Sequence, residues 1–156
     1  MPSVQFQSLW TNHPSNLGEN APCKDKAGNS AFENQCAIRM GIALQDSGVP
    51  LAGYPGAHCW HGHSKIHALR AQELANWLAT GAGARRVGAV EKKRRGAHSP
   101  INVSDYLGRT GIVFFMNFWG RGNQGDHIDV WDGSDMAHGS SDYFAASEQV
   151  WFWAIA

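Results

Sequence analysis

The chain has no long apolar run, no surplus of either charge and too few cysteines for a stapled framework. No stretch of its 156 residues approaches the roughly 20 apolar residues that span a bilayer. The opening MPSVQFQSLW also lacks the basic and continuous apolar regions of a Sec-type signal, so export, if any, is expected by another route. Lys plus Arg equals Asp plus Glu at 13 each and 17% of residues are charged, so nothing in the totals asks for nucleic acid or an acidic partner, and neutrality argues against a generic polyanion binder. Cys23, Cys36 and Cys59 are odd in number, so at least one stays outside any internal pair. A single domain over 1–156 is long enough to bury a core without metal or disulfide support.

What is abundant is glycine, at 18, and tryptophan, at seven, a composition that calls for tight turns, structured loops and aromatic surface. Residues 4–10 suit a short helix or strand equally. Residues 11–32 carry loop chemistry and read as a long surface segment. Next, 34–48 (NQCAIRMGIALQDSG) places apolar residues at helical spacing, ends at Gly48, and carries Cys36 in its first turn. Unpaired N–H groups and the positive helix end favour an anion there, which suits a nucleophilic thiolate, although a buried inert thiol fits the helix equally.

His58, His61, His63 and His67 crowd the following loop. A zinc site from His58, Cys59, His61 and His63 is conceivable, yet the spacing matches no closed zinc pattern, so no metal is assigned and a polar pocket rim is the simpler reading. Ser64 is placed to cap a helix over 65–80, stopped by Gly81 and Gly83. The basic segment 85–95 (RRVGAVEKKRR), with a short strand near 87–90, lacks the aromatic residues that stack on bases and reads as a solvated loop or docking face.

The last third is strand-like. GIVFFMNF (111–118) suits a central strand buried on both faces, HIDVW (127–131) alternates, Asp132-Gly133 signals a hairpin, and QVWFWAI (149–155) closes the sheet. Helices first and an antiparallel meander after them make an α+β fold, with N-terminal helices packed on a sheet formed mainly by the C-terminal half. A cysteine at a helix start followed about ninety residues later by His127 on a strand is the order of papain-like amidases, although eight histidines make some downstream histidine unavoidable.

Three motifs in sequence, NQCAIRMGIAL, GRTGIVFF and GDHIDVWDGS, resemble the fourth family of type VI secretion amidase effectors, whose helix reads like N-x-C-x-I-R-M and whose strand reads like G-H-[IV]-x-[LV]-W-[ND]-G. The resemblance implies an NlpC/P60-like, papain-related fold that hydrolyses the amide between D-glutamate and meso-diaminopimelate in the peptidoglycan stem peptide. It also implies manufacture in the cytoplasm, delivery by type VI secretion components to the periplasm of rival bacteria, and a cognate immunity protein. Cys36 matches the family nucleophile and His127 its base. The family's third residue, an aspartate about eleven positions past the histidine, is replaced here by His138; Asp129 and then Asp135 rank as substitutes. The mechanism implied is acyl transfer without a cofactor. The Cys36 N–H, with Gln35 or Asn34, is the expected oxyanion donor set, and Trp60, His61 and His63 are expected along the substrate groove. Two alternatives stay open: a papain-like thiol peptidase acting on protein, and a non-catalytic module that binds cell-wall glycan or peptide.

Overall fold

The computed structural model describes residues 4–32, 34–59, 63–117 and 126–156. Trp60, His61, Phe118 and the glycine-rich segment 121–125 lie outside the described residues. The chain opens with helix α1 (Phe6–Asn12), which settles the open choice for this end in favour of helix. A 3₁₀ turn, Pro14–Leu17, follows. The segment after it is not purely surface: His13, Pro14 and Cys23 are buried, because this stretch is laid across the start of the next helix.

Helix α2 (Cys36–Asp46) is the centre of the molecule. The sequence pattern called for one buried stripe, but burial runs unbroken from Cys36 to Gly41, so the helix is enclosed nearly all round. Gly48, at φ 91°, adopts the left-handed conformation that ends a helix and that residues with a Cβ rarely take.

The helix expected over 65–80 starts later, as α3 (Ala71–Ala79). Upstream of it the backbone is satisfied in other ways. The Gln45 side chain accepts from Ile66 N–H at 3.0 Å and donates to Ile66 C=O at 2.7 Å. Cys59 N–H donates to His67 C=O, and Leu69 N–H to Ala57 C=O, each at 3.0 Å. With partners already supplied, residues 63–70 stay outside the helix. The glycines read as a stop are a junction: Thr80 is extended, and Gly81 opens α4 (Gly81–Val87).

Among the described residues, four strands form one antiparallel sheet: β1 (Glu91–Arg94), β2 (Gly111–Met116), β3 (His127–Trp131) and β4 (Gln149–Ala154). Their order is β1-β4-β2-β3, so the sheet is antiparallel as expected but is not a meander, since β4 inserts between β1 and β2. The basic segment is divided: Arg85 and Arg86 sit on α4, while 91–94 form an edge strand rather than a loop. The Asp132-Gly133 signal is a tight turn in which Asp132 Oδ1 accepts from the N–H groups of Ser134 and Asp135. It returns residues 136–138 along the outer edge of β3, and Ala137 N–H donates to Val130 C=O. The edge is thereby covered.

Each face of the sheet has its own core. Ile112, Phe114, Ile128, Val130 and Trp153 pack with α2 and α3. Val113, Phe115, Trp131 and Phe152 pack with Tyr106 and with Phe144 of α5 (Asp142–Ala146). Buried indole N–H groups are paired, Trp131 with Tyr106 C=O at 2.9 Å and Trp153 with Leu78 C=O at 3.2 Å. No helix among the described residues is long and apolar enough to cross a membrane.

Gly111 sits where β2 meets both β3 and β4, and a Cβ there would lie 1.9 Å from the Trp153 carbonyl oxygen. Gly111→Ala is therefore expected to lower unfolding free energy by about 2 kcal/mol or more in a denaturant titration. An unchanged midpoint would mean that the β2–β4 contact is looser than described.

Candidate active site

The strand parity expected from HIDVW holds: Ile128 and Val130 join the helix-covered core, while His127, Asp129 and Trp131 share the opposite side. Cys36 reaches that side because β3 is an edge strand and α2 begins beside it. The Cys36 Sγ lies 3.8 Å from the carbonyl oxygen of Asp126, the residue before β3. Cys36 and His127 are hydrogen-bond partners, and His127 Nε2 is 2.9 Å from Asp129 Oδ2. A carboxylate only accepts, so Nε2 carries the proton and Nδ1 is the nitrogen left to take the thiol proton. Around the imidazole, Tyr143 packs edge-on at 5.4 Å and Phe115 stacks at 6.3 Å.

Burial opposes charge on His127, but the hydrogen bonds and negative charges of Asp129 and Cys36 outweigh it and raise the ring's pKa to about 9. Asp129 is fully buried, which alone would raise its pKa. Its bond to His127 and its other donors reverse that and hold it below the usual carboxylate range. The arrangement favours the protonated imidazole, held between a thiol and a buried carboxylate.

Asp129, ranked second on sequence, therefore occupies the place next to His127 that was assigned first to His138. His138 serves the same carboxylate through its backbone N–H, 2.9 Å from Asp129 Oδ2, and turns its ring toward Asn20 Oδ1 at 3.2 Å. Asp135 belongs to the preceding turn, bonded through its N–H to Asp132. Eleven positions past His127, His138 thus meets the carboxylate through its backbone and not through its ring.

The expected oxyanion donors divide in a similar way. Asn34 Oδ1 accepts from the Cys36 N–H at 3.1 Å, so that donor is occupied by a side chain rather than supplemented by one. Gln35 is committed elsewhere. Its side chain is buried, accepts from Cys23 N–H at 2.8 Å and donates to Cys23 C=O, Ser30 Oγ and Phe32 C=O. It clamps the preceding loop and is not free to bind an oxyanion. His63 likewise engages a cysteine pair, with Nε2 at 3.3 Å from both Cys23 Sγ and Cys59 Sγ, and stacks on His67. His58 is exposed, with Nδ1 at 3.1 Å from Gly56 C=O.

Three residues escaped the sequence reading. Arg39 is a buried guanidinium on α2 that donates to Asn20 C=O at 2.7 Å; burial pulls its pKa down against the charges of Cys36 and Asp129. Its signal was visible as the one charge inside CAIRMGIAL. Gly139 leaves room for the imidazole, since a Cβ there would meet His127 Nε2 at 3.1 Å. His13, 1% exposed, has its Nε2 3.3 Å from Asp129 Oδ1. Its Nδ1 accepts from Ser15 N–H at 3.2 Å, so the proton sits on Nε2, facing the carboxylate in a long, imperfectly aligned contact. Nothing in the polar composition around it marked His13 out.

Burial keeps His13 neutral and lowers its pKa to about 4, with Asp129 opposing and Arg39, His127 and His138 reinforcing. Because that value lies below the ordinary 6.5, the unfolded chain binds the extra proton as pH falls between the two. The stability tied to His13 is complete above pH 6.5 and declines toward pH 4; that tied to His127 has the opposite sign and declines as pH rises toward 9. From pH 7 to 5, wild type is expected to lose about 2 kcal/mol more than His13→Gln in urea titrations. Parallel losses would show that His13 titrates normally.

Residues 32–153 match the family model of type VI secretion system (T6SS) amidase effector protein 4, Tae4. A search of curated proteins found none that matches the chain. Among solved structures, Tae4 from Enterobacter cloacae superposes with a TM-score of 0.71 at 18% identity, covering 100% of both chains. The effector–immunity system Tae4/Tai4 from Salmonella typhimurium gives a TM-score of 0.70 at 20% identity, covering 98% of this chain and 99% of that one. Salmonella typhimurium Tae4 in complex with the immunity protein Tai4 from Enterobacter cloacae gives 0.68 at 20% identity, again over 98% and 99%.

Proposed function

The chain belongs to the type VI secretion amidase effector 4 family, and on that premise we propose that it is a cysteine-dependent peptidoglycan amidase. The observation that carries the reading is the line Cys36, His127, Asp129, in which a thiol at a helix start, an imidazole and a buried carboxylate meet in hydrogen-bond order. A cysteine helix beside an antiparallel sheet that presents the histidine also supports an NlpC/P60-like, papain-related assignment.

The chemistry is acyl transfer. His127 Nδ1 takes the Cys36 thiol proton, and the thiolate adds to the amide carbonyl carbon. The oxyanion is held by the Cys36 N–H once Asn34 has turned aside. The tetrahedral intermediate collapses as His127 gives its proton to the leaving amine, which leaves a thioester on Cys36. A water, deprotonated by His127, adds to that thioester; the acid product departs and the thiol is restored. Throughout, Asp129 fixes the ring and balances the imidazolium, with the His138 N–H and His13 fixing Asp129 in turn.

The bond cleaved is the D-glutamate to meso-diaminopimelate amide of the stem peptide, the bond that the family motifs imply. The setting is the periplasm of a target bacterium, reached by type VI secretion. Its natural antagonist is a cognate immunity protein, as in the Tae4/Tai4 complexes among its structural neighbours.

Digestion of purified sacculi with wild type and Cys36→Ala, followed by mass analysis, tests this. Wild type should release fragments ending in D-glutamate, and Cys36→Ala should lose at least about a thousandfold in rate. Intact stems with wild type would overturn the amidase reading in favour of a binding module or a protein-directed peptidase. Fragments cut at another amide would move the specificity alone.

The third member has its own test. Asp129→Asn, which leaves the ring without its anion, should lower turnover by roughly 10³ to 10⁴. His138→Ala keeps the backbone N–H and should stay within about tenfold of wild type. The reverse order would return the role to the His138 ring.

A further inference from the structure

Cys23, Cys59 and His63 form a second cluster of reactive side chains that the amidase chemistry does not use. Cys23 and Cys59 are 36 positions apart in sequence, yet their sulfurs stand 3.5 Å apart. His63 Nε2 lies 3.3 Å from each sulfur. The three ligand atoms are thus mutually close, two thiols and one imidazole nitrogen around a common centre. Zinc bonds of about 2.3 Å to sulfur and 2.1 Å to nitrogen, arranged tetrahedrally, separate the donors by roughly 3.5–3.8 Å. The observed triangle matches that edge length to within a few tenths of an ångström.

From these distances we propose that Cys23, Cys59 and His63 bind a zinc ion, with the fourth corner of the tetrahedron taken by a further side chain or a solvent oxygen. Two thiolates and an imidazole suit zinc in preference to magnesium or calcium, which take oxygen donors. Local spacing did not disclose the site. Cys59-x₃-His63 supplies only two ligands, and the third arrives from a loop that the chain brings back over α2.

The backbone around each ligand is braced. Gln35 holds both the N–H and the C=O of Cys23, and Ala31 N–H donates to the same carbonyl at 2.9 Å. Cys59 is fixed by its N–H bond to His67 C=O, and the His63 ring stacks on His67 at 3.9 Å between centroids. A held imidazole is the arrangement that orients a metal ligand. Gln35 immediately precedes the nucleophile, so the ion would tie two loops into the wall beside Cys36 without touching the reacting atoms. Its role is structural, and it is independent of the amidase reading.

The test uses the full chain purified under reducing conditions without chelator. Elemental analysis is expected to give about one zinc per chain. Cobalt(II) added in place of zinc should show thiolate-to-metal charge-transfer absorption and the intense visible bands of a tetrahedral ion. Cys23→Ser, Cys59→Ser and His63→Ala should each bind at least about tenfold less metal. Cys36→Ala should keep both the metal and the cobalt spectrum, and this separates the site from the nucleophile. Should the single variants fold poorly, the cobalt spectrum of wild type and of Cys36→Ala stands by itself. Background zinc with no cobalt–thiolate band, or a mass showing Cys23 and Cys59 joined as a disulfide under these conditions, overturns the proposal. So does metal retained by Cys23→Ser and His63→Ala alike, which would locate the ion elsewhere.

Discussion

An ionised carboxylate with no solvent contact costs several kcal/mol unless donors replace its water, and this molecule keeps one, Asp129, at its functional centre. The replacement shell comes from four residues on three parts of the chain. Val130 N–H donates from the next residue of β3 at 2.8 Å, His127 from two residues before, His138 from the returning edge segment, and His13 faces it from the end of α1. Each of these elements is thereby fixed relative to the others. The thiol beside them then meets an imidazole whose orientation and charge were set before any substrate arrived.

The opposite wall follows a comparable logic with neutral groups. Residues 20–32 have little apolar surface of their own, and they are held by side-chain amides and by Arg39 rather than by a core. Gln35 substitutes for a neighbouring strand by bonding both backbone groups of Cys23, as Gln45 does for Ile66. Irregular backbone can then be packed against the start of α2 without leaving its polar groups stranded.

The features legible in the sequence were those written in local period. Helix α2 with Cys36 at its start, the continuous apolar β2, the alternation that puts His127 and Asp129 on one side of β3, and the aromatic β4 all follow from residue spacing. What stayed hidden depends on groups that spacing does not describe. At His138 it is the backbone N–H that reaches Asp129, a contact that the residue type does not announce. A start at residue 65 was a reasonable reading of the helical pattern, but Gln45 pulled Ile66 out of it from 21 residues away. Strand β1 consists of EKKR, a composition that propensity assigns to solvent; it is a strand because it borders β4 and because exposed basic side chains suit an edge. His13 and Cys23 acquire meaning only after the loop carrying them is folded back.

The position of β4 has a consequence for the order in which this protein assembles. It lies between β1 and β2 although it follows both in sequence, and Phe6 N–H is bonded to Ala156 C=O just beyond it. A growing chain that lacks residues 149–154 has no neighbour for β1 and leaves one side of β2 unpaired, so the sheet cannot close early. Long-range closure of this kind slows folding relative to helical domains. The sheet that carries His127 and Asp129 is therefore complete only when the strand that comes last in sequence has entered between two that precede it.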